Sequence, residues 1–101
     1  MLITTQVYKT VLTGEVQGGT TAAQLPDIPC AGVIIKAQSD NSSNVYLGTE
    51  NVTVNRSHTN ETTGFELDAG QETPFLPIDN LNKLWMITDA NGDDIIYMAF
   101  K

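Results

Sequence analysis

The stretch from Asn82 to Lys101 constrains the fold more than any other. Two apolar runs, Leu84-Trp85-Met86-Ile87 and Ile95-Ile96-Tyr97-Met98-Ala99-Phe100, are joined by Asp89-Ala90-Asn91-Gly92-Asp93-Asp94. β-Prone runs flanking Asn-Gly are the strongest short-range hairpin signal, because a type I′ turn needs φ > 0 at both central positions. A two-residue turn at Asn91-Gly92 sets Thr88 opposite Ile95, Ile87 opposite Ile96, Met86 opposite Tyr97 and Trp85 opposite Met98. One face then carries Trp85, Ile87, Ile96, Met98 and Phe100; the other carries Leu84, Met86, Ile95, Tyr97 and Ala99. Both faces are apolar, which a sheet with one wet side does not show. The ribbon is therefore expected to be covered twice, once by a partner sheet and once by another segment or another subunit. The same register sets Asp89 against Asp94, and like charges facing each other are unfavourable. A loop longer than two residues is the expected remedy; a cation or a neighbouring base is the alternative.

Earlier in the chain the signals are short strands and turns. Residues 1–13 hold Leu2, Ile3, Val7, Tyr8, Val11 and Leu12 in no sustained period, and their Thr and Val content favours extended backbone. Gly14, Gly18 and Gly19 make residues 14–21 a loop or a loosely paired strand. Residues 1–19 thus read as an N-terminal arm or as a first strand. Leu25-Pro26-Asp27-Ile28-Pro29-Cys30 carries two prolines and is expected to be an extended lead-in. Ala31 to Ala37 is a strand, Ser39 to Ser43 a turn, Asn44 to Gly48 a strand, and Asn51 to Val54 another, together a meander with sandwich-like spacing. Residues 55–63 form a polar loop that holds the lone histidine, His58. Gly64 to Leu67 is a half-buried strand. Pro74 and Pro77 confine Glu72–Ile78 to an edge or irregular stretch. No helix longer than a turn is predicted, and residues 20–101 are expected to form one all-β domain, a small antiparallel β-sandwich or jelly-roll-like barrel.

A chain of 101 residues buries on the order of 10,000 Å² on folding, enough for one core with little left to wall a deep active site. Net charge is −7, with five Lys and Arg that do not cluster. A phosphate backbone or an anionic membrane surface would be repelled, so neither nucleic acid nor membrane is an expected partner. No run approaches the ~20 apolar residues of a bilayer span. The single cysteine, Cys30, permits no internal disulfide and is expected to be a buried structural thiol. Residues 1–5 have no basic n-region, so folding in a reducing cytoplasm is expected. The Asn-x-Ser/Thr triplets at Asn41, Asn51, Asn55 and Asn60 then read as by-products of an Asn/Thr-rich surface.

Chemistry finds little support. Asp89, Asn91 and Asp93 have the 1, 3, 5 spacing of an EF-hand loop, but Asp94 stands where glycine is needed and Phe100 where a bidentate glutamate is needed. His58 has no second His or Cys beside it. Ser39, Ser42, Ser43 and Ser57 lie in polar loops without a nucleophile elbow. Gly18-Gly19 precedes no helix with a phosphate-binding Lys. The twelve carboxylates show no pair in a distinguishing context. No catalytic, cofactor-binding or metal residue is assigned, and the chain is expected not to be an enzyme.

One string carries a resemblance: Leu25-Pro26-x-Ile28-Pro29-Cys30-x-Gly32-Val33-x-Ile35-Lys36-Ala37, then Asn44-Val45-Tyr46-Leu47-Gly48. It continues through Thr63-Gly64-Phe65-x-Leu67-x-Ala69-Gly70-Gln71 to Ile78-Asp79-Asn80-Leu81-x-Lys83-Leu84. Over residues 20–101 it resembles small β-sandwich virion proteins of tailed bacteriophages; residues 1–19 are outside the pattern. The resemblance implies a capsid-associated role, as a decoration or cement protein bound to the major capsid protein, made in the host cytoplasm and located on the virion. It carries no catalytic motif. A homo-oligomer, with a trimer favoured, is the expected state. A head-fibre, neck or receptor- or carbohydrate-binding module is the alternative.

Overall fold

The computed structural model describes residues 7–54 and 61–101. Among the described residues seven strands run in chain order: β1 (Val11–Gln17), β2 (Ala23–Gln24), β3 (Gly32–Ala37), β4 (Val45–Gly48), β5 (Phe65–Leu67), β6 (Trp85–Thr88) and β7 (Asp94–Phe100). They form two antiparallel sheets, ordered β1-β7-β3 and β2-β6-β4-β5, packed as a small β-sandwich. The sheets do not close into a barrel. One 3₁₀ turn, Leu81–Lys83, leads into β6, capped by Asn80, whose Oδ1 accepts the Asn82 N–H at 2.9 Å.

The core lies between the sheets. Val33, Ile35 and Ala37 alternate inward from β3, Ile95 and Ala99 from β7, and Val45, Leu47, Leu67 and Met86 meet them from the other sheet. Such alternation with one face buried fixes the register, since a one-residue slip would turn every core side chain to the outside.

The expected hairpin does not form. β6 lies between β2 and β4, whereas β7 lies at the centre of the other sheet between β1 and β3. The two runs face each other across the core instead of side by side. Polar bonding of the connection explains the split. The Thr88 N–H bonds Gly19 O at 2.9 Å, Gly18 N–H bonds Asp93 O at 2.8 Å, and Asn91 Oδ1 accepts the Thr20 N–H at 3.2 Å. Segment 18–20 therefore takes the backbone positions a β6–β7 ladder would have used. The loop is longer than two residues, as the Asp89–Asp94 clash requires. Within this loop only Gly92 is left-handed, at φ +91°, and Asn91 is not, which excludes a type I′ turn.

Other expectations change with it. Strands β3 and β4 belong to different sheets, so the meander is overturned. Residues 51–54 make only an isolated bridge, Thr53 with Thr63. Val52 is buried and lies with Gly64 against Tyr46, acting as a plug where a strand was expected. The edge formed by Glu72–Ile78 is as predicted: Leu76 and Glu72 bridge Val33 and Lys36 on β3. Of the two readings for the N-terminal stretch, residues 11–17 take the strand, and all seven pair with β7, from Val11 with Phe100 to Gln17 with Asp94. Cys30 is half-buried, and its thiol donates to Ile78 O at 3.4 Å. His58 and Ser57, and residues 1–6, are outside the described residues.

Candidate interaction surface

Each strand of a sandwich has a second face, and the two sheets treat theirs differently. On the four-stranded sheet, Tyr46 points away from the core yet is fully buried, because Val52 and Gly64 lie over it. On the three-stranded sheet no such cover is present among the described residues. The outward side chains of β7 are Ile96, Met98 and Phe100, and strand register arranges their neighbours in rows. Val11, Phe100 and Gly32 form the first row, Thr13, Met98 and Ile34 the second, and Glu15, Ile96 and Lys36 the third.

The first row is closed by aromatics. The ring of Phe75 lies over Gly32, where a Cβ would come within 2.6 Å of its Cε2, so a side chain there would have to displace the ring. Tyr8 and Phe75 pack against Phe100 with centroid separations of 5.4 and 5.6 Å, and against each other at 5.9 Å. The next two rows remain open. Met98 is 40 % exposed and Ile96 37 %, and beside them runs a shallow trough of about 460 Å³ lined by Ile34, Ile96 and Met98, while Val11 stays exposed at the β1 end of the first row. A smaller apolar cleft of about 260 Å³, between Leu47, Phe65, Pro74 and Leu84, opens at the side of the sandwich.

Beyond the third row the surface turns acidic. A proton shared with Asp94, together with the charges of Asp94 and Asp40 and partial desolvation, raises the Glu15 carboxyl above its ordinary value. A carboxylate whose pKa is higher folded than unfolded makes the folded state lose stability as pH rises from about the ordinary carboxylate value through the raised one. Glu15→Gln is therefore expected to raise the melting temperature at neutral pH, with the gain fading as pH falls toward 4.5, the ordinary value. An equal gain at both pH values would show that the Glu15–Asp94 repulsion is not its source.

The oxygen-bearing side chains of the 89–93 loop do not converge. Asp89 Oδ2 lies 3.4 Å from the Tyr46 hydroxyl, Asn91 accepts from Thr20, and Asp93 turns to the 42–43 turn. There Ser42 and Ser43 donate their backbone N–H groups to it at 2.9 Å each and their hydroxyls at 3.2 and 2.5 Å. Burial of Asp93 would raise its pKa, but these bonds outweigh burial and hold the carboxyl below its ordinary value. Among the described residues, no three His, Cys, Asp or Glu side chains are grouped to hold a metal ion. Sequence reasoning assigned no role to Asp93 as a turn anchor; the run Asp40-Asn41-Ser42-Ser43 was legible only as a turn.

The sequence identified two-sided hydrophobicity in the C-terminal runs but not which side stays open. No protein-family model, characterised protein or solved structure matches this chain.

Proposed function

We propose that this chain is a structural virion protein of a tailed phage, a decoration or cement protein that binds the capsid surface and stabilises the head. The major capsid protein is the partner, and the open face of the β1-β7-β3 sheet is the docking surface. The observation that carries this reading is the exposed pair Ile96 and Met98, with half-buried Ile34 beside them, on a regular sheet. Apolar side chains on a regular β-ladder are held in place before binding, so little ordering entropy opposes association. Contiguous apolar exposure of this kind marks interaction sites on small domains. The capsid as the site of docking rests on the resemblance over residues 20–101. Most of its apolar positions, among them Leu25, Val33, Ile35, Leu47, Leu67 and Leu81, are buried, though Phe65 is 63 % exposed, so the shared pattern is chiefly one of scaffold and leaves the docking face free to be particular to this chain. The tilted packing of Tyr8, Phe75 and Phe100 on one another, at 45–63°, favours docking over a flat stacking platform for sugar rings.

Co-sedimentation with assembled capsids tests it. The double variant Ile96→Asp, Met98→Asp is expected to lower capsid occupancy at least ~100-fold, since two charges would be desolvated without partners. Its melting temperature should stay within a few degrees of the parent, because both side chains already face water. Undiminished capsid binding by that variant would remove this face from the interface. Binding to tail or neck particles with none to capsids would place the protein elsewhere on the virion.

A further inference from the structure

We infer that β1 is a self-pairing edge, through which two copies of this chain join across a two-fold axis at Gly14 into one continuous six-stranded sheet. The four sheet edges are unequally protected. On the four-stranded sheet the edges are β2, two residues long, and β5, three residues long. Strands that short offer little template to another chain. The free side of β3 is covered by residues 71–76: Val33 and Leu76 exchange both backbone bonds at 2.9 and 2.7 Å, Thr73 N–H bonds Ile35 O, and Ala37 N–H bonds Gln71 O. The remaining edge, β1, is seven residues long, lacks proline, and pairs only with β7 among the described residues. A long, flat, uncovered edge is what monomeric sheet proteins avoid.

The hydrogen-bond phase shows what this edge can accept. Thr10 exchanges backbone bonds with Lys101, and Gly18 N–H bonds Asp93 O. Antiparallel pairing alternates, so Leu12, Gly14 and Val16 direct their peptide groups to β7. Val11, Thr13, Glu15 and Gln17 direct theirs outward. A two-fold axis through Gly14 sets Val11 against Gln17 of the second copy and Thr13 against Glu15, so every outward group of the strand meets one of opposite kind. Leu12 then meets Val16 on the core side. Glu15, the only charged residue of the strand, faces a threonine hydroxyl, whereas the register displaced toward Gln17 would set it against its own copy. In the paired molecule the open apolar faces of the two sheets lie side by side, which doubles the surface available for docking. The pairing rests on the edge alone and stands or falls independently of the capsid reading.

Light scattering and sedimentation equilibrium on the full chain test it. A concentration-dependent dimer is expected. Thr13→Pro, which removes an outward N–H but no bond to β7, should yield a folded monomer. Should that variant fail to fold, two charge variants decide. Thr13→Glu places like charges opposite each other twice and should weaken the dimer about tenfold, and Thr13→Lys should tighten it several-fold. Amide exchange supplies an independent readout: Thr13 and Glu15 should be protected in the dimer and lose protection on dilution, while Leu12, Gly14 and Val16 stay protected in both states. A chain still monomeric at about 1 mM, a trimer, or a dimer indifferent to charge at position 13 would overturn the proposal.

Discussion

Asp93→Ala is expected to cost about 3–4 kcal/mol of folding stability, because it removes a carboxylate that accepts four hydrogen bonds and strips two backbone N–H groups of their acceptor. Urea denaturation of parent and variant measures it directly. Asp93→Asn keeps the shape and loses the charge, so it should cost less, about 1–2 kcal/mol, since charge-assisted bonds are the stronger kind. Because the folded pKa of Asp93 lies below its ordinary 3.8, the charge-dependent stability is present above that value and lost as pH falls through the folded one. The gap between parent and Asp93→Asn should therefore close in acid. A gap unchanged down to strongly acidic pH would mean that the charge is not what anchors the 42–43 turn.

Ile35→Ala should be comparably damaging, about 3–4 kcal/mol, through lost transfer energy plus a cavity between the sheets. For a domain of this size that corresponds to a fall in melting temperature of roughly 12–30 °C. The neighbouring Ile34→Ala should cost under about 1 kcal/mol, since Ile34 faces outward beside Met98. The pair is informative because the residues are chemically identical and adjacent, and only the strand's alternation separates them. Equal losses would mean that the two faces of β3 have been assigned the wrong way round.

The C-terminal runs show how much of this was legible beforehand. The facing sets were correct: Met86, Ile95 and Ala99 are fully buried and Leu84 and Tyr97 pack against them, while Ile96 and Met98 remain outside. Period-two alternation reports which way a side chain points, and that is a local property. It says nothing about which strand lies alongside, so the inference from Asn91-Gly92 to a hairpin failed. Partner choice was set by Gly18, Gly19, Thr20, Ser42 and Ser43, which bond the loop from far along the chain. Val52 and Thr53 misled for a related reason. Their β-propensity was real, but Val52 plugs the space beside Gly64 and Tyr46 and Thr53 makes one isolated bridge, and propensity does not distinguish a strand from a plug. The open face of the three-stranded sheet was half legible. Hydrophobicity on both sides of the last run was visible in the sequence, but only the burial of Tyr46 on one sheet and the 40 % exposure of Met98 on the other show which outer face is open.

The central place of β7 in its sheet also sets the order in which the molecule can be made. Val11 finds its partner in Phe100 and Gly32 finds the same residue from the other side, so until β7 has been made β1 lacks its partner strand and β3 has only residues 71–76 beside it. Pairings this distant along the chain close slowly, over milliseconds to seconds. Until they do, β1 and the inner side of β3 stay without their shared partner, and a product cut short before Asp94 lacks the strand that joins them.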